Sequence, residues 1–352
     1  MSSLSKKCAF VYVTTHCNMA CGHCYVGDKL KVPMHMPLTM LKEFLQFIRV
    51  LGYGKADFLG GEPLLYPHLL EAIDVAHSLG LKAYVSTNGT IAPEFLPVVE
   101  NIAVSIDHVP NGVGVRSQVW DSQMTHNISM LKTKSKRLSF TTTLSNRNLS
   151  LVPEILEYAR ECKVDRIHFH YFTPLGNGRT WTEEVIDRKV YWEFTHWLER
   201  QSCHYPFEIY YQKKYMKRSE IIDNMETSNI LYAGNKARDF SEAISIFPDG
   251  SCHFDPLFFD KPAIAHFIGN RLRFDSDAKE LDALFAQHAE CLQCDIGHIC
   301  GGVDSAVHAD PDLHAIHGVC DEDFFPVETT WKTRAGDSQY RNETFTKMQD
   351  RI

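Results

Sequence analysis

The 352-residue sequence has no excess of basic charge and no long apolar run, and each absence closes off a class of function. Lys and Arg total 36 against 44 Asp and Glu, a formal net charge of −8. That balance leaves no electrostatic footprint for nucleic acid. No stretch of about 18 apolar residues occurs, so the sequence predicts no membrane-spanning helix and no membrane partner. The opening Met-Ser-Ser-Leu-Ser-Lys-Lys lacks a signal-type apolar segment, which predicts a cytoplasmic protein. There, eleven cysteines argue against a disulfide framework and for metal or redox chemistry. The apolar (44%) and charged (23%) fractions are those of an ordinary globular chain. Its length suffices for one large core, or for a barrel with a smaller module.

Three cysteines, Cys17, Cys21 and Cys24, are spaced C-x3-C-x2-C directly after the apolar run Ala9 to Thr14, with Tyr25 behind them. Thiolates are soft ligands suited to iron–sulfur clusters or zinc. Three ligands leave a four-iron cluster with one iron open to an outside molecule; a zinc knuckle or incidental thiols are the plainer alternatives. The second chemical signal is Gly60-Gly61-Glu62-Pro63. Glycines let the backbone approach a ligand closely, and Glu62 offers a carboxylate to an ammonium group. A tight turn with Pro63 starting a helix would use the same residues.

Residues 1 to 200 alternate short β-type runs with amphipathic helical stretches, which predicts parallel β/α units. Strands are expected at 9–14, 56–59, 82–86, 102–107, 138–143 and 167–172, with helices at 38–51, 68–79, 117–133, 150–162 and 182–199. Six such units read as an α/β fold, a partial (β/α)6 TIM-like barrel whose chemistry lies in loops at the strands' C-terminal ends. Residues 201–240 read as a bridging segment, 241–325 as a small cysteine-rich module, and 326–352 as a polar tail.

The cysteine triplet followed by Gly-Gly-Glu-Pro resembles the radical S-adenosylmethionine (radical SAM) superfamily. The resemblance implies that Cys17, Cys21 and Cys24 hold a [4Fe–4S] cluster whose open iron chelates SAM. It implies that Gly60, Gly61, Glu62 and Pro63 hold the methionyl amine. Ser86 and Asn88, in Ser-Thr-Asn-Gly, and Ser105 and Asp107, in Ser-Ile-Asp, fall where the family contacts SAM. A turn with Asn before Gly, and capping groups, are the alternative readings. Arg116 reads as a solvated arginine or a partner of the SAM carboxylate. Tyr25 and Leu175, the latter in Thr173-Pro-Leu-Gly176-Asn-Gly178, fall where the family places residues beside adenine.

The later cysteines, Cys291, Cys294, Cys300 and Cys320, resemble the SPASM/twitch-type auxiliary-cluster module of peptide and protein maturases. The preceding Ile244 to Gly250 resembles that module's hairpin. Asp304 and Asp255 stand where the full pattern has cysteines, so one auxiliary [4Fe–4S] cluster is expected rather than two. Cys252 is left as a ligand, a substrate contact or a core thiol, and zinc is the other occupant that four thiols suit. The function implied is hydrogen abstraction from a peptide or protein, as in crosslinking, epimerisation or oxidation of a ribosomal peptide. Dehydrogenation of a small alcohol or aminocyclitol is the alternative, and a non-catalytic zinc-binding protein the remote one. An external electron donor such as flavodoxin or ferredoxin is implied. With the first strand at residue 9, a leader peptide is expected to be bound elsewhere or by a partner. Cys252, Tyr171 and Asp304 are nominal candidates for a proton or hydrogen donor.

Overall fold

The computed structural model describes residues 7–109, 116, 122–217, 219–220, 243–253, 259 and 262–274, together with the backbone of 325–333. The expected alternation is present. Six strands run in chain order: β1 (Cys8–Thr14), β2 (Lys55–Gly60), β3 (Lys82–Thr87), β4 (Asn101–Ser105), β5 (Leu138–Leu144) and β6 (Arg166–Tyr171). Each is parallel to the next. Between them lie α1 (Leu38–Val50), α2 (Leu69–Ser78), α3 (Ser122–Thr133) and α4 (Val152–Glu161), and α5 (Arg188–Gln201) follows β6. The α1 helix buries Leu41, Phe44, Leu45 and Ile48, and α4 buries Val152, Ile155, Leu156 and Ala159. Those spacings make one apolar stripe per helix, laid on the outer face of the sheet. Among the described residues, no helix is long and apolar enough to cross a membrane.

Two further strands arise where a bridge and a tail were expected. In β7 (Glu208–Met216) the chain lies parallel to β6, so a seventh parallel strand follows the six units. The backbone of β12 (Phe325–Thr333) then pairs antiparallel with β7. The helix expected from residue 182 begins later, because Asp187 caps α5 by accepting from the backbone N–H groups of Lys189 and Val190. At the other edge, β8 (Ala243–Ile246) runs parallel to β1, and β9 (Ser251–His253), β10 (Ala265–Ile268) and β11 (Arg271–Phe274) continue antiparallel. The β8–β9 hairpin is the one expected at 244–250, closed by Gly250 N–H donating to the Phe247 carbonyl. All twelve strands among the described residues form one sheet. Cys291, Cys294, Cys300, Cys320, Asp255 and Asp304 lie outside the described residues.

The two faces of this sheet differ in chemistry. Outward side chains such as Val11, Phe58, Val85, Val104, Phe140 and Ile167 are buried under the helices. Inward ones alternate with them and stay half-exposed and largely polar, including Asp57, Ser86, Ser105, Thr141, Thr143 and His168. A partly exposed, polar inner face is the surface on which a barrel receives ligands.

Candidate active site at the mouth of the barrel

The cysteine loop follows β1 and is held from three sides. The Gly61 and Glu62 N–H groups donate to the Thr14 and His16 carbonyls at 2.8 and 2.9 Å. A Cβ on Gly60 would stand 2.2 Å from the Thr14 carbonyl oxygen, and one on Gly61 2.3 Å from that of His16. The glycines are therefore needed for backbone to meet backbone, one residue before Cys17. From the far side of the barrel, the Asn177 N–H and side-chain amide donate to the Cys24 and Cys21 carbonyls. Below, Cys24 and Val26 border an apolar cluster of Tyr12, Leu59, Phe247 and Phe259, in which Tyr12 stacks on Phe247 at 4.3 Å. The Tyr25 hydroxyl meets that of Tyr12 at 2.9 Å.

Glu62 is fully buried and caps the short helical turn Pro63–Leu65. Its Oε1 accepts from the Leu64 N–H at 3.1 Å and the Thr87 hydroxyl at 2.7 Å, and its Oε2 from the Asn88 N–H at 2.8 Å. Burial pushes its carboxyl up to about 7 against those stabilising bonds. A carboxylate has about four acceptor sites, so three partners leave Oε2 capacity for one more donor. Glu62 is thus first a clamp between the β2 and β3 loops, with one acceptor position on Oε2 left over. The Asn88 side chain reaches into the cysteine loop, donating to Asn18 Oδ1 at 2.9 Å; Asn18 donates in turn to Thr90. Ser86 faces the interior and donates to Asp57, whose carboxyl burial raises to about 7.

Asp107, fully buried at the end of β4, accepts from the Thr143 N–H at 2.7 Å. Its other oxygen lies 2.7 Å from Arg116 Nε and 3.6 Å from Nε2 of His23, inside the cysteine loop. Arg116 is a largely buried ion-pair partner, not a solvated side chain; its charge also offsets the neighbouring thiols. Ser105 lies in a cross-strand row with Thr141, His168 and Tyr210. His168 stacks on Tyr210 at 4.7 Å, and His170 stands one step nearer the mouth. Burial, with His170 and Arg166 nearby, pushes His168 down to about 3, so it is neutral at pH 7.

Leu175 is buried at the start of the turn that carries Asn177. Tyr171 departs from its expected use. It packs behind β6 against Tyr191, and its hydroxyl donates to the Ile186 carbonyl, on the opposite face from His168 and His170. Cys252 is a fully buried core thiol in β9. Asn18, His23, Thr87, Asn177 and Trp181 were not singled out from sequence, although polar residues within tight loops are an available signal.

Residues 11–113 match the Radical SAM superfamily. That segment is a radical SAM domain. A [4Fe–4S] cluster and SAM are the cofactors that such a domain implies. Three thiols in one loop are the soft donors such a cluster takes; burial pushes Cys17 up to about 11 and Cys24 upward, so iron loading must release their protons. Among the described residues no three His, Cys, Asp or Glu side chains converge on one metal ion. Ligands that each hold a different iron need not converge. An AdoMet-dependent heme synthase of Methanosarcina barkeri is 26% identical over 202 residues, covering 53% of this chain and 56% of that protein. The chain spans about half the length of the curated relatives it matches. Among solved structures, Streptococcus suis SuiB bound to precursor peptide SuiA aligns with TM-score 0.63 at 13% identity, over 89% of this chain and 76% of that one. Native anSMEcpe with bound AdoMet and Kp18Cys peptide aligns with TM-score 0.62 at 14% identity, over 88% and 96%. At those identities the likeness is one of fold.

Proposed function

We propose that this radical SAM enzyme reductively cleaves SAM and abstracts a hydrogen atom from a peptide or protein, modifying a ribosomal product. The assembly that carries the reading is the cysteine loop, tied by Gly60–Glu62, Asn88 and Asp107 to one side of an open, polar-lined barrel. Cys17, Cys21 and Cys24 would hold the cluster, which would supply the electron for reductive cleavage of SAM. The remaining Oε2 acceptor of Glu62 would serve the methionyl amine, and Asn88, Ser86 and Ser105 the nucleoside. Tyr25 and the Leu175 turn would serve adenine.

The substrate carbon must lie in van der Waals reach of the radical. With SAM assigned to the residues of β1 to β4, the inward side chains Thr141, Thr143, His168, His170 and Tyr210 of β5 to β7 would face the substrate. The neutral imidazole of His168 and the hydroxyls of Tyr210, Thr141 and Thr143 offer hydrogen bonds without fixed charge, which suits a peptide backbone. The β8–β9 hairpin supports a SPASM-like module from 241 onward, with Cys291, Cys294, Cys300 and Cys320 holding one auxiliary cluster that takes the electron of the product radical. The fold shared with SuiB bound to precursor peptide SuiA and with anSMEcpe bound to Kp18Cys peptide also supports a peptide substrate. An external low-potential donor supplies the electrons.

Iron and acid-labile sulfide after anaerobic reconstitution test the cluster assignment. About eight irons, falling to about four in a Cys17/Cys21/Cys24→Ala variant, are expected; about four in the parent protein removes the auxiliary cluster. Co-expression with short peptides encoded beside the gene tests the substrate, the expected readout being loss of two hydrogens by mass spectrometry. A haem-type tetrapyrrole is the second reading, favoured by the heme synthase relatives. Turnover of such a tetrapyrrole with no change in any peptide would replace the first.

A further inference from the structure

Trp181 is far from the cysteine triplet in sequence, yet its indole lies against the cysteine loop. A Cβ built on Gly22, between Cys21 and Cys24, would stand 2.1 and 2.3 Å from Trp181 Cζ2 and Cη2. Only a residue without a side chain lets the benzene ring of the indole rest on the loop backbone there. On the indole the Arg147 guanidinium sits 5.0 Å from a ring centroid. Arg147 is fixed in turn: its Nη2 pairs with Glu184 Oε1 at 2.6 Å, and its N–H donates to Glu184 Oε2 at 3.0 Å. Glu184 is buried and also accepts from the Ser145 hydroxyl. The chain has therefore built a strut from the end of β5, through a neutralised guanidinium and a half-buried indole, onto the segment joining two cysteines.

We propose that Trp181 is a positioning residue that covers the cluster-binding loop, and that it sets the potential and the oxygen lability of the cluster by keeping water from the Cys21–Cys24 segment. The inference rests on the reading that Cys17, Cys21 and Cys24 hold the cluster. Solvent exposure is one of the determinants of cluster potential. Reduction adds negative charge, and water stabilises the more highly charged state, so uncovering the loop moves the potential in the positive direction. Opening the same face lets oxygen reach the cluster. Arg147 and Glu184 act through Trp181, holding the ring down, and contribute little net charge because they pair with one another.

The test uses the full chain, reconstituted anaerobically, as the parent and as Trp181→Ala, Trp181→Phe and Arg147→Gln. Iron per chain is measured first; a parent protein that loads no iron defeats the cluster reading itself and leaves this inference without a basis. With loading matched, two readouts follow. One is the rate at which the visible iron–sulfur absorbance bleaches in air. The other is an EPR-monitored redox titration of the signal that changes on adding SAM, which separates this cluster from any other. Expected are several-fold faster bleaching and a more positive potential in Trp181→Ala. Trp181→Phe, which keeps a ring on Gly22, should stay close to the parent, and Arg147→Gln should shift in the same direction by less. If Trp181→Ala does not retain its cluster, Arg147→Gln carries the comparison. A loaded Trp181→Ala, or Arg147→Gln in its place, with the parent's bleaching rate and potential overturns the proposal.

Discussion

Replacing Glu62 by Gln keeps the shape of the side chain while removing its titration. Below its native pKa the carboxyl is neutral, with one oxygen accepting and one hydroxyl donating. The amide can match that pattern except at one backbone N–H, Leu64 or Asn88, which must then face an NH2 group. Leaving one buried N–H unsatisfied costs about 1–3 kcal/mol, so at pH 5 the variant should be less stable than the parent by at least about 1 kcal/mol. The comparison then changes with pH. Burial raises the Glu62 carboxyl from its ordinary 4.5 to about 7, so the folded state binds the proton more tightly than the unfolded one. Its contribution is fully present below about 4.5 and is lost as pH rises through about 7. At about 1.4 kcal/mol per unit, the swing has an upper bound of about 3 kcal/mol. Glutamine has no such loss, so the deficit of Glu62→Gln should shrink between pH 5 and 8 and reverse if the bound is approached. Urea unfolding of the metal-free, reduced protein across that range measures it. A difference independent of pH, or one that widens toward pH 8, would refute the reasoning.

Asp57→Asn should behave similarly in direction. Burial raises the Asp57 carboxyl from 3.8 to about 7, so the parent should lose stability relative to the variant as pH rises from 4 to 8; a flat comparison of urea midpoints argues against it. Gly61→Ala places a methyl 2.3 Å from the His16 carbonyl oxygen and 2.9 Å from Cys17 Cβ. It should cost at least about 2 kcal/mol, in the range of overpacking, and lower iron loading, whereas parent-like loading and stability would show that the loops separate freely. His170→Ala, on the substrate side, should retain SAM cleavage in the absence of substrate and lose product formation, and loss of both activities would place His170 with the SAM machinery instead.

The six β/α units were legible because each strand is a short β-type run with apolar residues on its buried face and each helix repeats its buried residues at helical spacing. In β7, Ile209 and Tyr211 face the core while Tyr210 and Gln212 face inward, but three tyrosines and two lysines blur that alternation. A bridge is the expectation there for that reason, and a tail at β12, which owes its place to a strand distant in sequence. The cysteine triplet and Gly-Gly-Glu-Pro were legible from spacing. What they do to one another was not: the donors that bind Glu62 come from residues 87 and 88, and the indole on Gly22 from residue 181. Tyr171 is instructive, because strand parity alone sets it on the face of Phe169 and opposite His168 and His170. That inference was open from the sequence once β6 was recognised.

Reductive SAM cleavage tests the central claim most directly. The reconstituted chain, given SAM and dithionite anaerobically, should release 5′-deoxyadenosine and methionine, detected by mass spectrometry, and the Cys17/Cys21/Cys24→Ala variant should release neither. A parent protein carrying its full iron complement that forms no 5′-deoxyadenosine, with or without peptide, would contradict the account.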